Sequence, residues 1–424
     1  MDKQIFIDES LLPMYDLGTE DKSLKGILTC GYSEADIKEY MTDYYHDKNQ
    51  VMKHSYDLVP FYKTVFENAL SKVKCTDIRN VLELGCGYGY STYAVAELLP
   101  NASIVASELS AAMLARHKQY GEENYLENEE RIVRCQINAD QKIFKDNSFD
   151  MVFGTAILRH VFDPLKIIKE AGRILRPGGI AVFCEPFEAG YGLLQLVYEM
   201  LLLNHEETPF LTNEQFSYLK SSLEAWACIR VNSPHEKEDI HVKDGKWLFP
   251  FEYFDEAATI AGFDLIRKIP ITNGNHVFDL YRAHTSGNGI ELPAITETIL
   301  GCIERSFSAN QLQNMPGDGV LILQKRSEDN YSTTERDYSQ DIAYFRHTSL
   351  LISNLSDEYA RKFQELQGVA YKETKERDKK SFSIMKPVFH TIRRIAEKLH
   401  IKERLKKTSL YKRLFLKGVM DKLQ

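Results

Sequence analysis

The chain has 424 residues, of which 43% are hydrophobic and 27% charged, and its net charge is -8; that length suggests two or three domains, or one elaborated domain. No apolar run reaches the roughly 18 residues of a membrane span, and the opening "MDKQIFIDESLLPMYDLG" carries acids where a secretory leader needs a basic start and an apolar centre. A helical membrane protein is therefore excluded, and a cytoplasmic protein is expected.

Seven cysteines, Cys30, Cys75, Cys86, Cys135, Cys184, Cys228 and Cys302, stand singly with no C-x-x-C pair. An odd, scattered set argues for a reducing compartment and against a zinc site. The charge is unevenly spread. Residues 379–424 hold 14 Lys and Arg against 3 Asp and Glu, which leaves 39 against 58 for the rest. An acidic body with a basic end means that the partner of one need not be the substrate of the other.

In chain order, residues 1–75 read as a helical N-terminal cap, because "EADIKEYMTDYYHD" and "YDLVPFYKTVFENALSKV" space their apolar residues as a helix does. From Asn80 the pattern changes. "NVLEL", "SIVAS", "RIVRCQI", "FDMVFG" and "GIAVFCE" are short, nearly continuous apolar runs separated by helical stretches such as "STYAVAELL", "SAAMLARHKQY" and "PLKIIKEAGRIL". Strands apolar on both faces, alternating with helices, mark an α/β fold with a mostly parallel sheet covered on each side. Asp163 and Pro164 start the last of these helices and "RPGG" at 176–179 ends it. This central domain is expected over residues 76–326. A helical insertion at about 190–245 and a second insertion at about 271–318 interrupt it, and "GVLILQKR" supplies a last strand. A C-terminal helical extension over 327–424 follows, basic from 379.

"NVLELGCGYGYST" at 80–92 places Gly85, Gly87 and Gly89 between a strand and a helix. Missing Cβ atoms permit a tight turn and close approach of a ligand to backbone at the carboxyl end of the strand. The spacing discriminates among ligands. A dinucleotide fingerprint wants glycine at 90, which is Tyr90, and G-x-x-x-x-G-K-[ST] is absent. Glu83, just before the glycines, would repel a pyrophosphate and favour an ammonium. Glu108 ends the second strand, where a carboxylate can accept two hydrogen bonds from a ribose diol. Capping the next helix is its alternative role, although Ser110 is placed for that.

These stretches resemble the class I S-adenosylmethionine-dependent methyltransferases of small-molecule or glycan type. The resemblance covers roughly residues 75–185 and extends more loosely to 325. "VLELGCGYGYST", "ASELSAAML", "INADQKIFKDNSFDMVFG" and "EAGRILRPGGIAVF" follow the family's motifs in order. The resemblance implies a Rossmann-like, seven-stranded, mostly parallel sheet flanked by helices, with S-adenosyl-L-methionine as cofactor, S-adenosyl-L-homocysteine as product and no metal. It implies that Glu83 and the turn of Gly85, Cys86, Gly87 and Gly89 hold the methionine portion. Glu108, with Leu109 beside it, would hold the ribose. Asp140 would meet the adenine amino group, with Ala139 and Gln141 beside it, and Met113 would pack on the base. A solvated loop acid is the other reading of Asp140. Cys86 also reads as no more than a small side chain in the turn.

After the fourth strand, "GTAILRHVFDP" places Gly154, Thr155 and Ala156 on the floor under the transferring methyl, with His160 facing the acceptor side. Transfer from a sulfonium needs in-line alignment, exclusion of water and removal of the nucleophile's proton. An imidazole can take a hydroxyl proton near neutral pH, so His160 is the candidate general base, with packing or loop orientation as its other reading. Glu185 and Glu188 are further acceptor contacts, and Tyr45 and His46 join them if the N-terminal cap folds over the site. The dispersed histidines offer no metal-ligand spacing. "GTAI" lacks the Pro-Pro-aromatic pattern of base-amino methylation, so a small molecule or glycan end is the expected acceptor, with oxygen as the expected methylated atom and carbon and nitrogen as the alternatives. An enzyme that transfers or cyclises the aminocarboxypropyl arm of the same cofactor is the first alternative, and a non-catalytic scaffold module the second.

The inserted "GYGLLQLVYEMLLLNHEE" reads either as an apolar lid or as its own core. In the basic end, Val388, Ile392, Ile395 and Leu399 follow helical spacing, with Arg393, Arg394, Lys398 and Lys402 between and beyond them. Such a segment suits peripheral contact with an anionic membrane, here the inner face, or docking and self-association. Nucleic acid is the least expected partner.

Overall fold

The computed structural model describes residues 6–19, 24–32, 57–73, 77–207, 209–231, 245–271, 276–313 and 315–326. The described residues divide into two compact units, the first drawn from 6–186, 231–271 and 318–326 and the second from 187–230 and 276–317.

In the first unit, nine strands form one sheet among the described residues. They are β1 (Tyr15–Asp16), β2 (Ile27–Thr29), β3 (Asn80–Leu84), β4 (Ser103–Glu108), β5 (Ile132–Gln136), β6 (Phe149–Thr155), β7 (Leu175–Pro186), β8 (Phe263–Pro270) and β9 (Asp318–Lys325). Their order is β1-β2-β5-β4-β3-β6-β7-β9-β8. The run from β2 to β7 is parallel, while β1 on one edge and β8 and β9 at the other pair antiparallel. The sheet is thus the expected seven-stranded one with two short strands added at an edge. Both come from the stretch read as a helical cap. "ILT" is too short to show a period, and Gly26 and Gly31, both at positive φ, bracket it as turn residues.

Four helices flank the sheet: α1 (Val59–Leu70), α2 (Tyr90–Leu98), α3 (Ala111–Asn124) and α4 (Pro164–Ile174). The central strands read as unbroken apolar runs because both faces are covered. Val81, Leu82, Ile104, Ala106, Met151, Phe153, Ile180 and Val182 have no exposed surface. Local signals set the helix starts. Ser110 Oγ accepts from Met113 N at 3.2 Å, and Asp163 Oδ1 accepts from Lys166 N at 3.1 Å with Pro164 at the first helical position. Asp150 fastens the non-site end of the sheet. Its Oδ2 accepts from Arg79 N and Asn80 N, and its Oδ1 pairs with Arg176 at 2.8 Å.

The unit is completed by α5 (Phe251–Ile260), which precedes β8. In the second unit, α6 (Glu188–Glu207) packs with α7 (Asn213–Ile229), α8 (His276–Gly287) and α9 (Ile295–Ser306). The capping box of Thr212 and Gln215 starts α7. Tyr198 stacks on Trp226, and Tyr191 meets both Trp226 and His284 edge-on. The aromatic side chains of "GYGLLQLVYEM" thus contribute to this unit's own packing. No described helix is long and apolar enough to cross a membrane.

Candidate active site

The carboxyl ends of β3, β4 and β6 converge where Glu83 pairs in register with Ala106 and Phe153. The chain leaves β3 through Gly85, Gly87 and Gly89, at φ of 69°, 50° and 95°. A side chain at two of these positions would be crowded as well as strained by the positive φ. A Cβ at 85 would lie 2.8 Å from Ile157 Cδ1, and one at 89 would lie 2.9 Å from both His117 and Tyr93. At 87 the nearest atom would be Met113 Cε at 3.7 Å, so here the left-handed φ selects glycine and the space beside the backbone is open. Cys86 turns its thiol into the core, where burial pushes its pKa up, so it offers the turn only backbone.

Glu83 has no exposed surface. Its Oε1 accepts from Ser91 Oγ and its Oε2 from Thr92 Oγ1, both from the first turns of α2. Burial pushes its pKa up to about 7, against those two hydroxyls, and the negative charge of Glu108 adds to the rise. Its influence on a ligand cation is therefore the field of a buried charge beneath the turn. Glu108 stands at the mouth. Its Oε2 accepts from Gly87 N at 3.3 Å, and its Oε1 accepts from Leu109 N at 2.7 Å and Ser110 N at 3.1 Å. Burial raises its pKa, opposed by these backbone donors and by nearby His160. Gly87 N thus links the two strand ends.

Ala139, Asp140 and Gln141 occupy the loop after β5. Asp140 Oδ2 lies 3.3 Å from Lys166 Nζ. Asn138 shapes the loop, with its Oδ1 accepting from Asp140 N and its carbonyl from Gln141 N. Tyr32, just past β2, locks it further. Its hydroxyl accepts from Asn138 N at 2.8 Å and donates to Gln141 Oε1. Met113 is buried beside Gly87.

At the end of β6, Gly154 lets this strand approach β3, since a Cβ there would lie 2.9 Å from Leu84 O. Thr155 Oγ1 lies 3.4 Å from Ser91 Oγ and also bonds the hydroxyl of Tyr62, from α1. Burial pushes the Tyr62 pKa up to about 12, with the charges of Cys184, Glu83 and Asp318 acting in the same direction. Ala156 adopts φ of 55°, a left-handed conformation unusual for a residue with a Cβ, and its N–H bonds Cys184 O at 2.8 Å. The chain then turns through His160, whose N–H bonds Ile157 O at 3.0 Å.

Glu185, buried at the end of β7, holds this turn from below, with Leu158 N donating to Oε1 at 2.7 Å and Arg159 N to Oε2 at 3.1 Å. Burial nonetheless pushes its pKa up to about 8 and that of Asp318 to about 6, the latter lowered by Arg159. Residues 245–247 cover the turn. Lys246 N donates to Arg159 O at 2.7 Å, and Trp247 Nε1 to Val161 O at 2.7 Å.

The first unit thus gathers Glu83, Gly85, Gly87, Gly89, Glu108, Leu109, Met113, Gly154, Thr155, His160 and Glu185 about the carboxyl ends of the central strands. Glu188 belongs to the second unit, where it lies 3.3 Å from Arg230. Tyr45 and His46 lie outside the described residues. Among the described residues no group of three or more His, Cys, Asp or Glu is placed to hold a metal ion. Sequence reasoning missed Ser91, Thr92, His117, Arg134, Tyr62 and Tyr32. For Ser91 and Thr92 a signal existed, two hydroxyls opening a helix behind a buried acid; the others come from distant segments.

A methyltransferase domain family matches residues 82–183. An uncharacterized methyltransferase of Schizosaccharomyces pombe is 26% identical over 186 residues, 43% of this chain and 65% of that protein. A demethylmenaquinone methyltransferase of Clavibacter sepedonicus is 30% identical over 152 residues, 34% and 58% of the two chains. A malonyl-[acyl-carrier protein] O-methyltransferase of Marinomonas is 31% identical over 130 residues, 30% and 46%. The chain therefore spans only about half to two thirds of the length of these relatives. The glycine turn between two carboxylates and the open backbone at Gly87 agree with this match: residues 82–183 are similar to the methyltransferase domain family.

Proposed function

We propose that the protein transfers a methyl group from S-adenosyl-L-methionine to an oxygen of a small molecule or glycan-type envelope precursor. The observation that carries the cofactor half is the left-handed turn at Gly85, Gly87 and Gly89, with Glu83 buried beneath it and Glu108 at its mouth. These residues fit the cofactor. Glu108, partly exposed, would accept from the ribose diol, and Glu83 would favour the ammonium. Asp140 and Met113 would meet the adenine, with Ala139, Gln141 and Leu109 beside them.

When bound, the cofactor supplies an electrophilic methyl on a sulfonium. The chain aligns and protects. Gly154 and Thr155 form the floor, the Ala156 turn directs His160 to the acceptor side, and His160 Nδ1 or Nε2 takes the hydroxyl proton as the nucleophile attacks. Glu185 holds that turn in place. The oxygen acceptor rests on the absence of an amino-base motif after β6 and on His160. The relatives act on acceptors as different as demethylmenaquinone and a malonyl-acyl carrier protein, which leaves the acceptor to experiment.

The test is incubation with the cofactor and a panel of hydroxylated small molecules and lipid-linked or soluble glycans. A mass gain of one methylene unit with release of S-adenosyl-L-homocysteine supports the reading. Release of methylthioadenosine with a larger mass gain would replace it with aminocarboxypropyl transfer. The basic residues 379–424 lie outside the described residues. For them we keep membrane contact or self-association as the proposal, tested by vesicle co-sedimentation and by the mass of the full chain in solution.

A further inference from the structure

A buried polar chain runs from the edge of the first unit to the carboxylate beneath the glycine turn. It begins at Glu129, whose Oε1 accepts from Arg134 Nη2 at 2.7 Å and from Tyr93 OH at 2.6 Å. Arg134 Nη2 also donates to Tyr93 OH at 2.9 Å, and Arg134 Nε donates to His117 Nδ1 at 2.9 Å. His117 Nε2 lies 2.8 Å from Thr92 Oγ1, which donates to Glu83 Oε2. His117, Thr92 and Glu83 have no exposed surface, and Arg134 is 5% exposed.

With Glu83 ionised, the direction of each bond from Arg134 through His117 and Thr92 to Glu83 is fixed. A guanidinium has only donors, so His117 Nδ1 must accept and its ring proton sits on Nε2. Burial and the charge of Arg134 both depress the His117 pKa, which keeps the ring neutral in that tautomer. Nε2–H then donates to Thr92 Oγ1, and the threonine's single proton can go only to Glu83. Without His117 the threonine hydroxyl is free to turn away. The ring also lies against the turn itself, since a Cβ at Gly89 would meet His117 Cδ2 and Nε2 at 2.9 Å.

We infer that His117 and Arg134 are positioning residues that orient the Thr92 hydroxyl toward Glu83 and so hold the carboxylate beneath the turn in its charged, cation-attracting form. This rests on the reading of Glu83 as a determinant of cofactor binding. Among the described residues, the charged and titratable groups facing Glu83 are Glu108 from β4, Cys86 from the turn and Tyr62 from α1; none of these is a cation. Oriented hydroxyls are therefore its main local support for negative charge.

The test is the titration of Glu83 in the free full chain, followed by ¹³C NMR of side-chain-labelled glutamate and assigned by loss of its signal in Glu83→Gln. The variants are Thr92→Val, His117→Leu and the double variant. Each single change should raise the midpoint from about 7 by about one unit. The double variant should move no further than Thr92→Val alone, because His117 acts through Thr92. Calorimetry with S-adenosyl-L-methionine then gives a second readout. Affinity in the single variants should fall about tenfold at pH 6 and stay unchanged at pH 9, where Glu83 is ionised in all of them.

An unmoved Glu83 midpoint, or additive shifts in the double variant, overturns the inference, and so does an equal affinity loss at both pH values. If the parent chain binds no cofactor at any pH, the cofactor reading fails instead, while the carboxyl titration still decides whether the relay exists. Thr92→Val preserves side-chain shape, so it keeps the test valid if His117→Leu does not fold.

Discussion

The two halves of the first unit's site are built in different ways. At the cofactor end, Glu83 and Glu108 each have several oriented donors, and the donors are themselves held by further bonds reaching Arg134 and Glu129. At the acceptor end, Ala156 is held in a left-handed conformation, and two acids, Glu185 and Asp318, share the field of one arginine. Both ends hold buried acids whose pKa values burial raises and oriented donors oppose. What sets the second apart is the backbone strain at Ala156 and a pair of acids dependent on one cation.

The comparison can be broken most forcefully at His160. Its replacement by Ala should lower the methyl-transfer rate by about 10²- to 10⁴-fold. Cofactor Kd should move less than about threefold, because His160 is the smallest of the influences on Glu108. Single-turnover kinetics across pH 5–9, beside calorimetry, measure both. A fully active variant would make His160 an orienting residue only.

Next in size is Glu108→Ala, which removes charge-assisted bonds worth about 1.5–3 kcal/mol and should weaken cofactor binding by about one to two decades. The rate at saturating cofactor should change far less. A large rate loss with unchanged Kd would merge the two ends into one.

A smaller effect separates the ends by stability. In Glu185 the folded pKa is raised to about 8, above its unfolded value, so the folded state holds the proton more tightly. Its contribution is then most favourable at low pH and declines as pH rises from about 4.5 to 8. The Tm of Glu185→Gln relative to the parent should therefore improve between pH 5 and pH 8, by about 2–4 °C for each kcal/mol recovered. A difference independent of pH would show that Glu185 does not bear a strained charge.

The smallest change is Ala156→Gly, which relieves a left-handed φ worth about 1–2 kcal/mol, less the added freedom of glycine in the unfolded chain. A Tm gain of a few degrees at most, with slower methyl transfer, would show the strain serves the turn to His160. A lower Tm would show that no strain is stored there.

The same contrast explains what the sequence reveals. The cofactor turn was legible because its requirements are local: "LGCGYG" needs positive φ at three nearby positions, and Glu108 ends the next strand. The alternating apolar runs likewise disclose the sheet, since each strand is buried on both faces. Strands β1 and β2 escaped because two or three residues show no period.

The support beneath Glu83 was illegible for a different reason. His117 reads as one polar residue in "LARHKQY" and Arg134 as one cation inside an apolar strand. Only the parallel pairing of β4 with β5 and the packing of α3 bring them under residue 89. Tyr62 and Tyr32 are equally remote in sequence from the loops they hold.

The account's central claim is that the glycine turn over Glu83, with Glu108 at its mouth, is a cofactor site. Calorimetric titration of S-adenosyl-L-methionine into the full chain at pH 8 tests it most directly. The account predicts saturable binding at one site per chain, and the absence of any binding heat at millimolar ligand, in protein shown to be folded, would contradict it.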